Sequence, residues 1–268
     1  MLRELTPDER NKSYSKYYDL ELTSPHQEKM SLIAKGPGNP DLALRIEDRN
    51  TLLDEGDLPS EFGYYLLDDG TAVVENRTFM PNVTGRMLEW WFAWHALDPL
   101  RYSIWDKEDH FGIEVGEETK SKILDPSVPL REKSWGVTHK VLESTGGPVS
   151  EIEIMFKYPG DLGFDQTKIG TAACSFMVCA NGLETLPDGK KAAAVMVHMA
   201  RDVEGGVDFR SRFFMGYHIR DEVPVKLIPP GMKIPGFIPE GLLAHNVKEY
   251  THLASILPKL YEEEKGRW

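Results

Sequence analysis

Cysteine is scarce: Cys174 and Cys179 are the only two in 268 residues. They lie five apart in a strand-like run, which predicts opposite faces and a separation of about 16 Å, too far for a disulfide. That fits a reducing compartment, and the expected location is the cytoplasm. No stretch reaches the roughly 18 apolar residues of a membrane span, and the opening MLRELTPDERNKSYSKYY has no apolar signal core. Positive charge is short as well. Against 43 Asp and Glu there are 31 Lys and Arg, a net charge of −12 with no dense basic run, which disfavours nucleic acid and anionic membranes as partners. The expected partner is a small molecule or another protein. Internal repeats and low-complexity tracts are also absent.

What the chain does have is core-forming material, at 41% hydrophobic residues, enough for one large domain or a main domain with a small accessory one. Residues 1–75 are polar and broken by turn signals such as GPGNP and DDG. Thr6-Pro7-Asp8-Glu9 reads as a capping box with proline at the first helical position. This stretch is expected to be an accessory or dimerisation region. From 76 to 268 the texture changes to β-prone runs (WGVTHKVLES, SEIEIMFKY, GTAACSFMVCA, AAAVMVHMARDV, VDFRSRFFMGYHI) separated by turn clusters such as STGGP, ANG and EGG. A meandering antiparallel sheet is predicted. TGRMLEWWFAWHALDPLRYSIW reads as a helix capped by Thr84 and stopped at Asp98-Pro99, and a proline-rich stretch leads to a last helix over 241–264. A curved sheet gripping a long C-terminal helix encloses a cavity without parallel crossovers, so an α+β helix-grip fold is expected.

Along the last helix Leu242, His245, Glu249, His252, Leu253 and Ile256 recur at spacings of three and four, placing a His and a Glu on or beside the core-facing stripe. Residues four apart on a helix have Cβ atoms about 5–6 Å apart, within reach of one metal ion. The same His-x-x-x-Glu spacing occurs at His110 with Glu114 and at His139 with Glu143. In a strand the latter two share a face but lie about 13 Å apart, so only one can join a common ion. Glu143, near its strand's end, is preferred, with His139 a wall residue or supporting partner. His110 sits at a loop-to-strand junction where it could face inward. Two imidazoles and two carboxylates suit Zn²⁺ and also accept Mn²⁺ or Fe²⁺. Trp90, Trp91 and Trp94 with His95 read as core.

Taken together, MLEWWFAWHALDPLRYSIWDKEDH, VTHKVLES, VMVHMA, FRSRFFMGY and AHNVKEYTHL make a chain that resembles the diacetylphloroglucinol hydrolase and phloretin hydrolase family from about residue 80 onward. The resemblance implies a Bet v 1-like helix-grip domain with an N-terminal dimerisation region, acting as a homodimer. It also implies one zinc per chain held by His110, Glu143, His245 and Glu249, with His139 or Glu114 as rivals for the second position. The reaction implied is hydrolysis of the carbon–carbon bond between a polyhydroxylated ring and an acyl group, on a small aromatic acyl-ketone substrate. Tyr102 and His198 match the family's pocket tyrosine and histidine and are the catalytic candidates. Where the family carries a pocket asparagine this chain has Phe111, Gly112 and Ile113, which bears on substrate identity. Two other readings of the fold are a carrier for a hydrophobic ligand and a metal-free, polyketide cyclase-like enzyme.

Overall fold

The computed structural model describes residues 3–186 and 189–268. Its main element is an eight-stranded antiparallel sheet in the order β1-β2-β8-β7-β6-β5-β4-β3. The strands are β1 (Gly63–Leu66), β2 (Ala72–Pro81), β3 (His110–Val115), β4 (Thr138–Glu143), β5 (Ser150–Lys157), β6 (Phe176–Thr185), β7 (Lys191–Val203) and β8 (Gly206–Met215); β9 (Tyr217–Arg220) and β10 (Val223–Lys226) form a separate hairpin. The helices are α1 (Pro7–Arg10), α2 (Gln27–Ile33), α3 (Gly85–Trp94), α4 (Pro99–Ser103), α5 (Glu117–Leu124) and α6 (Phe237–Glu264). Among the described residues no helix is long and apolar enough to cross a membrane.

Period-two alternation explains why the sheet has two buried faces. Along β7, Val195, Val197 and Met199 pack with Leu52, Leu53, Leu162 and Phe164 on one face. Met196, His198 and Ala200 point to the other face, where α6 lies. There Tyr250, Leu253, Leu257 and Leu260 of the helix meet Met80, Phe176 and Phe209 of the strands. This is the expected helix-grip arrangement.

Local signals act as read, with two refinements. Thr84 caps α3 by accepting from the Met87 N–H. Asp98-Pro99 does more than stop that helix, because the Asp98 side chain accepts from the Leu100 N–H and starts α4. α6 begins at Phe237, four residues before the expected 241, and runs on through Pro258. The tryptophans are core: Trp90 stacks on Trp94 at 4.8 Å, and all three are fully buried.

Two expectations need correcting. Cys174 lies ahead of β6 and only Cys179 is within it, so strand alternation does not separate them; both are free buried thiols in the same cluster. The division drawn between residues 75 and 76 falls inside β2, which pairs with β8 from Ala72 to Pro81. Residues 63–75 are therefore sheet. The segment before them also touches α6, where the Thr23 N–H donates to His252 Nδ1 at 3.1 Å.

Candidate active site

Pairing register brings the first two side chains together, since His110 lies directly opposite Glu143 in the β3–β4 ladder. A bulge between His110 and Gly112 breaks the alternation. Beyond the outward Phe111 it shifts the phase by one residue and brings Ile113 and Val115 into the core, so Glu114 is exposed and points away from His110. On β4, His139, Val141 and Glu143 all face inward. One turn of α6 supplies His245 and Glu249.

His110 Nε2 stands 3.4 Å from His245 Nε2, 3.7 Å from Glu249 Oε2 and 3.8 Å from Glu143 Oε2. His245 Nε2 stands 3.9 Å from Glu249 Oε2. Four ligands about 2.0–2.1 Å from a common ion would form a tetrahedron with edges of about 3.4 Å, so these separations suit one small dication. The ligand atoms of His110, Glu143 and His245 all lie within 4.8 Å of one another, while Glu249, close to both imidazoles, falls outside that group.

Supporting contacts aim each group. His110 Nδ1 lies 3.4 Å from the Tyr102 carbonyl, to which it donates, and its ring stacks on the Tyr102 ring at 4.2 Å. His245 Nδ1 lies 3.3 Å from Asp109 Oδ2. Both imidazoles thus have Nδ1 engaged and Nε2 left to face the same point, as metal-binding histidines do. Tyr102 donates its hydroxyl hydrogen to Glu143 Oε2, and Asn246 Nδ2 donates to Glu249 Oε1 at 3.0 Å. A second metal-capable group, Asp106 and Asp109 with His245, already surrounds a cation: Lys248 Nζ lies 3.1 Å from Asp106 Oδ2 and also pairs with Asp109.

The electrostatics also favour a dication. Burial raises Glu249 to about 8, with the charge of Glu143 adding to it and that of His245 opposing, and burial raises Glu143 as well. Burial drives His110 far below its ordinary value. His245 is the exception, since burial opposes its charge but Glu249, Asp109, Glu143 and Asp106 together outweigh it and lift it to about 9. A proton there neutralises part of what a metal ion would neutralise more completely. Burial, then the charge of Glu143, holds the Tyr102 phenol protonated.

Tyr102, Glu143, His245 and Glu249 line a cavity of about 60 Å³, together with His139, His198, Phe92, Phe156 and Phe213; His110 is outside its lining. His198 Nδ1 lies 2.9 Å from Ser211 Oγ, and burial lowers its pKa to about 3. His139 Nε2 is buried and, among the described residues, has no hydrogen-bond partner. On the other side of His245 is an open groove of about 620 Å³, whose walls include Met30, Ile33 and Ala34 from α2 and its end and Phe237 and Ala244 from α6. The sequence reading missed Asp109, Asn246 and Lys248. Each is adjacent in sequence to one of the four converging residues, the one signal that could have found them.

Residues 42–262 match the family described as the DAPG hydrolase PhiG domain. The chain is 43% identical to a phloretin hydrolase of Eubacterium ramulus over 261 residues, covering 96% of this chain and 92% of that protein. It is 30% identical over 273 residues to a 2,4-diacetylphloroglucinol hydrolase of Pseudomonas protegens, covering 95% of this chain and 85% of that one. Among solved structures, the crystal structure of Ara h 8.0201 aligns with a TM-score of 0.42 and 8% identity, over 71% of this chain and 99% of that one.

Proposed function

The chain belongs to the DAPG hydrolase family and is a hydrolase of carbon–carbon bonds, and we propose that it cleaves the bond between a polyhydroxylated aromatic ring and an acyl group with the help of one zinc ion. The observation that carries this reading is the convergence of His110, Glu143, His245 and Glu249 at a buried cavity, in a chain whose relatives include a phloretin hydrolase. Two neutral imidazoles and two carboxylates would hold the dication in a site of zero net charge. Bound there, zinc supplies Lewis acidity toward a carbonyl oxygen and lowers the pKa of water to about 7.

The protein's own groups do the rest. A ring carbon leaves only after it is protonated, which a ring with several hydroxyls permits by tautomerising to a ketone. Water's oxygen then bonds to the acyl carbon, the electrons of the broken bond stay with the ring carbon, and the products are a carboxylic acid and a polyhydroxybenzene. Tyr102, protonated and aimed by Glu143, orients a ring hydroxyl through its Oη. His198, neutral and tied to Ser211 through Nδ1, exchanges a proton with a ring hydroxyl or the ring carbon. Phe92, Phe156 and Phe213 keep bulk water from the cavity.

Phloretin, acylphloroglucinols and cyclic 1,3-diketones, each followed by mass spectrometry, test the reaction. A phenolic ketone should give its carboxylic acid and free ring, the rate should vanish after chelator dialysis, and zinc should restore it. Full activity after chelation would favour the metal-free enzyme, and binding without product from any member would favour a carrier.

The reading includes a homodimer that uses the N-terminal region. Leu20, Leu32 and Leu42 are 45%, 40% and 45% exposed there, and a contact between copies would cover apolar side chains of this kind. Replacing all three with lysine should convert a dimer to a monomer in light scattering at micromolar concentration, with zinc content unchanged. A monomeric parent, or a triple variant that still dimerises, contradicts this.

A further inference from the structure

Glu249 Oε1, the oxygen turned away from the two imidazoles, ends a line of hydrogen bonds that begins in the N-terminal segment. Lys29 on α2 donates from Nζ to Asn76 Oδ1 at 2.7 Å. Asn76 Nδ2 donates to Asn246 Oδ1 at 2.9 Å, and Asn246 Nδ2 donates to Glu249 Oε1 at 3.0 Å. Both asparagines are fully buried.

The direction of this line follows from chemistry. An ammonium can only donate, so Asn76 must offer it oxygen and turn its NH₂ to Asn246. Asn246 must then accept with its oxygen and turn its own NH₂ to Glu249. Reversed amides would set a carbonyl oxygen against the Glu249 carboxylate and an NH₂ against the ammonium. The remaining acceptors of Lys29 are neutral, the Arg77 carbonyl at 2.6 Å and Thr78 Oγ1 at 3.2 Å. Glu249 is therefore the carboxylate at the far end of the line that begins at this half-buried cation. With Oε1 engaged, Oε2 is the oxygen 3.7 Å from His110 Nε2 and 3.9 Å from His245 Nε2.

We propose that Lys29, acting through Asn76 and Asn246, is a positioning residue that holds Glu249 with one oxygen bound and the other presented to the metal site. This rests on the metal-site reading above. It also gives the N-terminal segment a part in the site, through α2, which packs on α6 and β1 and reaches β2 through Lys29. A simple tether would fasten that segment without caring which way the two amides point; the line requires an ammonium at one end and an unbroken donor sequence to the other.

Zinc affinity of the full chain, measured by competition with a chromogenic chelator, tests the inference without reference to turnover. Lys29→Met keeps the stem and removes the charge, and should lower zinc affinity by about tenfold or more, the range for a lost orienting partner of a metal ligand. Lys29→Cys should lose as much, and aminoethylation of the new thiol should restore it; Cys174 and Cys179 are buried and do not compete for the reagent. Asn76→Asp keeps shape but cannot donate to Asn246, so it should match Lys29→Met, with the double variant no worse than either because both cut one line. Zinc affinity within about twofold of the parent in folded Lys29→Met, or no recovery on aminoethylation, overturns the inference. So does an additive double variant. If the Lys29 variants do not fold, Asn76→Asp alone decides by the same threshold. A parent that binds no zinc overturns the metal-site reading itself, a result distinguishable from a zinc-binding parent whose variants behave alike.

Discussion

His245→Ala should purify with little or no zinc and release acid from an acylphloroglucinol at least about 100-fold more slowly than the parent. Changes to residues that merely orient a metal ligand cost roughly 10-fold to 100-fold, and removal of a ligand should exceed that range. His245 is the choice because two groups meet on it: its Nε2 faces His110 and Glu249, and its Nδ1 faces Asp109. Its loss would leave Glu143 and Glu249 in a buried site with one imidazole between them. The fold should survive, since α6 is anchored by Leu243, Val247, Tyr250, Leu253 and Leu257, all 0% exposed. Elemental analysis alongside circular dichroism checks both points, and about one zinc per folded variant chain would remove His245 from the site. Asp109→Asn should fall in the milder range, because it weakens only the aim of the imidazole.

The C-terminal half of this constellation was legible from spacing, because residues four apart on a helix are neighbours whatever the rest of the chain does. The other half was not. His110 and Glu143 meet through the β3–β4 register, and the bulge beside Phe111 decides that His110 faces inward while Glu114 faces out. A one-residue bulge leaves no periodic trace in six residues of strand, so spacing and a strand's end nominated this pair only as candidates, and the resemblance to known sequences gave them their weight. The start of the sheet was hidden for a related reason. β1 is only four residues long and β2 carries the polar Glu75 and Asn76, both fully buried, within it, so a composition change at residue 76 looked like a boundary although the sheet had already begun. Asn76 and Lys29 could not be picked out by any local rule, since their partners lie on α6 and β2 at the far ends of long connections.

The larger uncertainty in reading the site from sequence was which inward residue of β4 belongs to the ion, and the two candidates predict different outcomes. His139 and Glu143 share a face, with Val141 between them, and four residues of strand separate them by about 13 Å. Glu143 Oε2 lies 3.8 Å from His110 Nε2, whereas the His139 ring packs edge-on to Phe156 at 4.8 Å, with its Nε2 unpartnered among the described residues. Glu143→Gln is the informative change. The introduced amide can still accept the Tyr102 hydrogen, so the local packing should hold, but the negative charge is gone and a neutral carbonyl is a weaker partner for a dication. Zinc affinity should fall by about tenfold or more, and acid release with it. His139→Phe should keep zinc affinity within about twofold of the parent, because it touches neither the ligands nor the residues that aim them. Turnover should still drop, by up to about tenfold, if the free Nε2 meets a substrate hydroxyl and contributes one hydrogen bond. Both variants titrated with zinc in one buffer and assayed for acid release separate the cases. Normal zinc binding in Glu143→Gln together with lost zinc in His139→Phe would move the second ligand to His139, leaving a site of three imidazoles and one carboxylate with a net positive charge and a more acidic water.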